Sequence, residues 1–167
     1  MVDSLVEQIV TFLGDKLSPE LISFLVSVMP VLELRGGLFA AKLMDVEFIK
    51  AFAICFIGNM LPIPFILLFI RKIFNLLKKN KKVEQLILKF EARSIRKADK
   101  VIKYRLWGLF IFVAIPLPGT GAWTGALVAD LLDIRIKHSL PVIAAGVLVA
   151  GIIISCLSYG LLGLIGL

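Results

Sequence analysis

The feature that most constrains this chain is a hydrophobic stretch broken at its middle. No charged residue interrupts Leu106 to Ala129, so the whole segment prefers lipid to water. At its centre stands Ile115-Pro116-Leu117-Pro118-Gly119-Thr120-Gly121-Ala122-Trp123-Thr124-Gly125. Proline has no amide donor and clashes with the preceding turn, and glycine permits a sharp reversal. The arms, 106–115 and 122–129, are each too short to cross ~30 Å of hydrocarbon, which takes ~20 helical residues. We read a re-entrant hairpin that enters, turns near mid-membrane and leaves on the side it came from. Irregular backbone survives at that depth only where protein or a water-filled cavity surrounds it. Such places are commonly substrate pathways. The competing reading has kinked helices that cross fully, giving four spans and no hairpins.

Composition supports a membrane setting. Of the 167 residues, 59% are hydrophobic, against roughly half in soluble domains. Length suggests a single domain over 1–167. The net charge of +7 is unevenly placed: residues 71–105 hold thirteen Lys or Arg and three acids, and the rest of the chain is net −3. This asymmetry predicts a cytoplasmic 71–105 segment and no nucleic-acid partner. Cys55 and Cys156 lie in apolar sequence and read as small core hydrophobes, not a disulfide or metal pair. No basic start followed by a cleavable apolar core is seen, so no signal peptide is expected.

Residues 1–16 alternate at helical spacing (Val2, Leu5, Val6, Ile9, Val10, Leu13), with Ser4 and Glu7 as a capping box and Gly14 as a stop. They predict an amphipathic helix on the membrane surface or against the bundle. Ser18-Pro19-Glu20 starts a second helix. Its apolar run, 21–32, meets Pro30 and then Glu33-Leu34-Arg35-Gly36-Gly37, which we read as the turn of another hairpin with a second arm at 37–44. Residues 51–70 are uncharged and long enough to span, bent by Asn59, Pro62 and Pro64. Residues 83–104 predict an amphipathic cytoplasmic helix at the lipid interface. A polar loop, 130–138, holds the single histidine, His138, read as solvated. A last span occupies 139–167.

The two halves align without a gap at a shift of 88 residues. Pro30 falls on Pro118, Gly37 on Gly125, Asp45 on Asp133 and Gly58 on Gly146. Each half, 1–70 and 106–167, is then a hairpin plus one true crossing, joined by the basic linker. An odd number of crossings reverses the second half. The fold class expected is an all-α integral membrane protein, an inverted repeat of re-entrant hairpin plus transmembrane helix with amphipathic peripheral helices.

If the hairpins meet at mid-membrane, polar groups converge. Gly36 and Gly37, and Gly119 to Gly121, would begin the second arms, where helix amides bind anions. Arg35 adds a planar cationic fork suited to phosphate. Glu33 is the only carboxylate near this site; it pairs with Arg35 or takes up a proton. Thr120 and Thr124 offer hydroxyls, Pro118 shapes the turn, and Trp123 lies along an acyl chain, caps the cavity or simply packs. Asn59 joins the site or bonds a neighbouring helix. The bland alternatives are a structural Glu33–Arg35 ion pair and turns that serve geometry only. No Walker loop, zinc spacing or catalytic triad is present, so neither an enzyme nor a cofactor or metal is expected.

The blocks PVLELRGG (Pro30 to Gly37) and PLPGTGAWTGAL (Pro116 to Leu127) resemble the putative small multidrug export protein family of prokaryotes. The resemblance runs from about Leu21 to the last span. That family is similar to the DedA and VTT-domain superfamily, whose paired re-entrant hairpins are implicated in moving phospholipids or polyprenyl phosphates between leaflets, some with proton coupling. The resemblance implies a prokaryotic inner membrane, Glu33 and Arg35 as the charged first hairpin, and Pro118-Gly119 in the second. One departure stands: the DedA pattern places an arginine in the second hairpin, and 116–129 has none. Small multidrug resistance transporters differ too, since a lone glutamate in a continuous first span is missing here.

Three functions follow. The first is translocation of an anionic lipid or polyprenyl-phosphate headgroup between leaflets. The second is export of small compounds, with Glu33 as counter-ion and proton site. The third is a membrane scaffold acting through its basic helix. Membrane lipids, a headgroup or small-molecule substrate, protons and a second copy of the chain are the partners expected.

Overall fold

The computed structural model describes residues 2–69, 106–117 and 119–158. The basic segment 71–105, the residues beyond 158 and Pro118 lie outside them, and so do the expectations placed there. Every element described is helical: α1 (Val2–Leu13), α2 (Pro19–Val28), α3 (Glu33–Leu43), α4 (Phe48–Met60), α5 (Leu106–Ala114), α6 (Ala122–Leu131) and α7 (Ile136–Ser158). Two stretches are long and apolar enough to cross a membrane, Phe48–Phe69 and Ile136–Cys156. The first is α4 continued, after a break at Leu61–Pro62, by helical residues 63–69. The break falls where Pro62 and Pro64 remove amide donors. The second starts at Ile136, so Pro141 sits in its early turns and exposed His138 belongs to a helix, not to a loop.

The chain forms two compact units. One holds residues 1–62 and 147–167, the other 63–146. Each thus contains one helical hairpin (α2–α3 or α5–α6).

In the first unit, Ser18 caps α2 by accepting the Leu21 amide at 3.3 Å, with Pro19 opening the helix. α1 begins at Val2, three residues earlier than the Ser4 capping box requires, so Ser4 is inside the helix. Gly14 ends it, its amide donating to the Val10 carbonyl. The buried face of α1 meets the hairpin: Val6 joins Ile22, Val26, Leu32 and Ala40, with Ile9, Val10 and Leu13 around them. Removing an aliphatic side chain of this kind from water is worth about 1.5–3 kcal/mol.

The hairpin packs on α4 through small residues. Ala51, Cys55, Gly58 and Asn59 form the buried stripe of α4. A Cβ on Gly58 would lie 2.8 Å from the Phe24 carbonyl oxygen, and one on Gly37 would overlap Ser27 Oγ. Apolar burial supplies no net drive between helices in lipid, so close backbone approach and dispersion take its place. Ser23 and Ser27 return their hydroxyls to the carbonyls of Pro19 and Ser23, four residues back, and need no outside partner.

The second unit repeats this local design. A Cβ on Gly146 would lie 3.2 Å from the Phe110 carbonyl oxygen, and one on Gly125 would meet Val113 and Ile143. The second arms and spans correspond at the expected shift of 88 residues. The first arms correspond at 86, because Phe24 and Ser27 are matched by Phe110 and Val113. The gapless alignment is therefore corrected: the second hairpin carries two extra residues in its turn. Four residues, 29–32, join α2 to α3, whereas 115–121 join α5 to α6. Pro30 takes the place of Pro116, not Pro118. The second arms end alike. Asp45 and Asp133 adopt φ of 54° and 53°, and the amides of Val46 and Ile134 reach back 2.9 Å to the carbonyls of Ala41 and Ala129. This left-handed cap satisfies late carbonyls of each helix.

Candidate functional site

Register within the first unit fixes the depth of each polar group. Glu20 and Lys50 pair at 2.7 Å at the open end of the hairpin. Further in, the Cys55 thiol lies 3.9 Å from the Ser23 carbonyl oxygen, and Gly58 faces Phe24 and Ser27. α2 and α4 therefore run side by side in the same direction, and α3 returns against them. Gly37 is level with Cys55. Four residues closer to the turn, about 6 Å along each helix, stand Glu33 on α3 and Asn59 on α4. Helix geometry thus sets the two at about one depth.

Both are buried. Glu33 is 6% exposed and Asn59 1%. The Asn59 Oδ1 has no hydrogen-bond partner among the described residues, which is uncommon for a buried carbonyl oxygen. Arg35 is half-buried, two positions along α3 and close enough for its charge to interact with that of Glu33.

Glu33 holds φ at 51°. A left-handed conformation costs a residue with a Cβ roughly 1–2 kcal/mol. The matching residue of the second hairpin is Gly121, at φ 135°, where no Cβ opposes the turn. The first hairpin thus keeps a buried carboxylate where the second uses glycine. Strain of this kind concentrates at functional positions.

The sequence-predicted groups fare unequally. Glu33 to Gly37 do not form the turn; they open α3 and are helical. The Glu33 amide donates to the Met29 carbonyl at 2.9 Å and the Gly36 amide to Leu32 at 2.8 Å. The expected anion-binding amides at Gly36 and Gly37 are corrected accordingly, since this N-terminus runs on from the turn. Gly36 and Gly37 are packing positions, pressed against Leu32, Val26, Ser27 and Cys55.

In the second hairpin, Gly119 takes φ 80° and is exposed, while Gly121 is buried as the N-cap of α6. The Thr120 hydroxyl lies 2.8 Å from the carbonyls of Ile115 and Leu117 and accepts the Leu117 amide at 3.2 Å. It closes its own turn. Trp123 and Thr124 are half-buried in the first turn of α6. Pro118 lies outside the described residues. Glu33, Arg35 and Asn59 all belong to the first unit, and the charges of Glu33 and Arg35 interact. The sequence reading did not foresee the left-handed backbone of Glu33.

Cys55 is free and buried, and Cys156 is free and half-buried. Among the described residues no cluster of three or more His, Cys, Asp or Glu is placed to hold a metal ion.

No curated protein and no solved structure matches the chain. A family model does, over residues 33–153, which begin at the buried glutamate and run into α7. The chain therefore belongs to the family described as "Putative small multi-drug export protein".

Proposed function

We propose that the protein is a membrane exporter of small compounds in which Glu33 is the central coupling group. The observation that carries this reading is the buried Glu33 carboxylate, held at positive φ beside Arg35 and level with Asn59. An ionisable group kept inside an apolar protein at a cost in stability is a working group by default. The family description supports export as the task.

In this reading the two hairpins are re-entrant and the halves form an inverted repeat in a prokaryotic inner membrane, with 71–105 cytoplasmic. The matched caps at Asp45 and Asp133 and the matched glycine contacts support the repeat. From the Glu20–Lys50 bridge to Asn59 is nine residues of helix, about 14 Å. That is close to half the hydrocarbon thickness of about 30 Å. Glu33 then works at mid-membrane, where alternating access needs its binding groups. Substrate and coupling ion exchange places at the carboxylate, and Arg35 is the counter-charge when neither is bound.

Glu33→Gln tests this directly. Cells or proteoliposomes carrying the variant should lose efflux of a cationic dye while the protein reaches the membrane in normal amount. Efflux equal to wild type would remove Glu33 from the mechanism.

A second reading has one observation of its own. Arg35 is half-buried rather than sealed, and a guanidinium matches a phosphate. Together with the DedA resemblance, this favours transfer of a lipid or polyprenyl-phosphate headgroup between leaflets. Leaflet exchange of a labelled phospholipid in proteoliposomes, wild type beside Arg35→Ala, separates the two. Exchange abolished by Arg35→Ala favours the lipid, and no exchange by folded wild type leaves small-compound export.

A further inference from the structure

The two hairpins present their tips in the same way. In the first, Val31 is 73% exposed and Met29 42%, with exposed Pro30 between them. In the second, Leu117 is 55% exposed and Ile115 42%. Exposed charge gathers at the other ends: Lys42, Asp45 and Lys50 in the first, Asp133, Arg135 and Lys137 in the second. A reversal in water is ordinarily built from Gly, Pro, Asn, Asp and Ser. Met29-Pro30-Val31 and Ile115-Pro116-Leu117 carry large apolar side chains instead.

What can cover such a tip depends on its backbone. Ile57 and Phe65, 59% and 60% exposed on the first span, can meet lipid directly, because a helix satisfies its own backbone groups. The tips fall between helices, at 29–32 and 115–121. Irregular backbone at mid-membrane needs protein or a water-filled cavity around it. Water is the wrong neighbour for Met29, Val31, Ile115 and Leu117, since hydrating such side chains is costly. That leaves protein, and the folded chain itself leaves these side chains exposed.

We propose that the hairpin tips are the contact between two copies of this chain, with Met29–Val31 and Ile115–Leu117 of one copy packed on the tips of the other. One chain carries two like tips, and a single two-fold pairing, in which each copy offers the same patch, covers both. The depth of this contact rests on the re-entrant hairpins proposed above. The contact also bears on the path. The Glu33 amide donates to the Met29 carbonyl at 2.9 Å, so a copy seated on Met29–Val31 walls the side of the hairpin from which α3 starts. A single copy leaves that side open.

The test places single cysteines at Val31 and at Leu117 in the full-length chain lacking Cys55 and Cys156, with Ile57→Cys as the lipid-facing control. Membranes are treated with copper phenanthroline in air. In parallel, each cysteine carries an environment-sensitive fluorophore in phosphatidylcholine vesicles, with brominated acyl chains or aqueous iodide as quencher. A covalent species of twice the chain's mass is expected from Val31→Cys, from Leu117→Cys or from the two co-expressed, and none from Ile57→Cys. Brominated chains should quench both tips less than Ile57, and iodide should quench neither. Both positions are exposed, so the substitutions leave the core intact, and elution as a single species checks this. Tips quenched by brominated chains as fully as Ile57, with no covalent dimer, would overturn the contact and leave the re-entrant depth standing. Quenching by iodide at either tip would overturn the contact and the depth together. Tips shielded from both quenchers with no covalent dimer, or a dimer formed equally by Ile57→Cys, would overturn the second copy as the partner.

Discussion

At the residue scale, Glu33 is the position where local preference and retained chemistry disagree. Its backbone sits at φ 51°, a place that glycine occupies without a Cβ clash. Glu33→Gly should therefore stabilise the folded protein by about 1 kcal/mol. The same change should abolish export, because the carboxylate is gone. Thermal unfolding in detergent and dye efflux, run on one preparation, check both halves. A variant that is less stable than wild type would show that the carboxylate's own contacts outweigh the strain. Asp45 and Asp133 share the conformation, but they end helices and are exposed. Aspartate tolerates the left-handed region better than most residues, so these two positions need no functional explanation.

At the element scale, the first hairpin is a packing problem solved by missing side chains. Gly37→Ala places a Cβ onto Ser27 Oγ and within 2.9 Å of Cys55 Sγ and the Ser23 carbonyl oxygen. Overpacking of this kind costs about 1–3 kcal/mol. Adding Ser27→Ala removes the worst overlap and should recover part of the loss, which a double-mutant cycle on unfolding temperature would read. Additive losses would mean that Cys55 and the Ser23 carbonyl dominate the clash. The exposed end of the same hairpin has an electrostatic fastening. The hydrogen bond from the Lys50 ammonium holds the Glu20 carboxyl below its ordinary value. A carboxyl depressed by folding adds stability above its unfolded pKa and loses it as pH falls through the folded one. Acid below the ordinary carboxylate range should therefore weaken this fastening, and Glu20→Gln should flatten the effect. The pair is exposed, so salt should screen it and its contribution is small.

At the scale of the whole molecule, the proposed inverted repeat makes a geometric demand. Asp45 and Asp133 end the second arms of the two hairpins and match in conformation, yet inversion places them on opposite sides of the membrane. In a background lacking Cys55 and Cys156, a cysteine at Asp45 should react with an impermeant thiol reagent added outside intact cells. A cysteine at Asp133 should react only after the cytoplasmic face is opened. Labelling of both from one side would eliminate the inverted arrangement.

Much of the fold was legible in the chain itself because its strongest signals are covalent. Prolines lack an N–H and glycines lack a Cβ in any context, so Ser18-Pro19, Pro62 and Gly119–Gly121 marked a helix start, a helix break and a turn before any packing was known. The uncharged runs in 51–70 and 139–167 likewise announced the two helices long enough to span, because desolvating charge is costly everywhere in lipid. What the chain alone did not contain was register. The placement of Glu33 to Gly37 inside α3, the two-residue offset between the first arms and the common depth of Glu33 and Asn59 depend on which side chains meet across helices. Apolar sequence looks alike at a shift of 86 or 88; only the contacts of Gly58 with Phe24 and of Gly146 with Phe110 separate them. The strain at Glu33 also belongs to the tertiary structure, since a glutamate adopts φ 51° only where its surroundings outweigh its own preference.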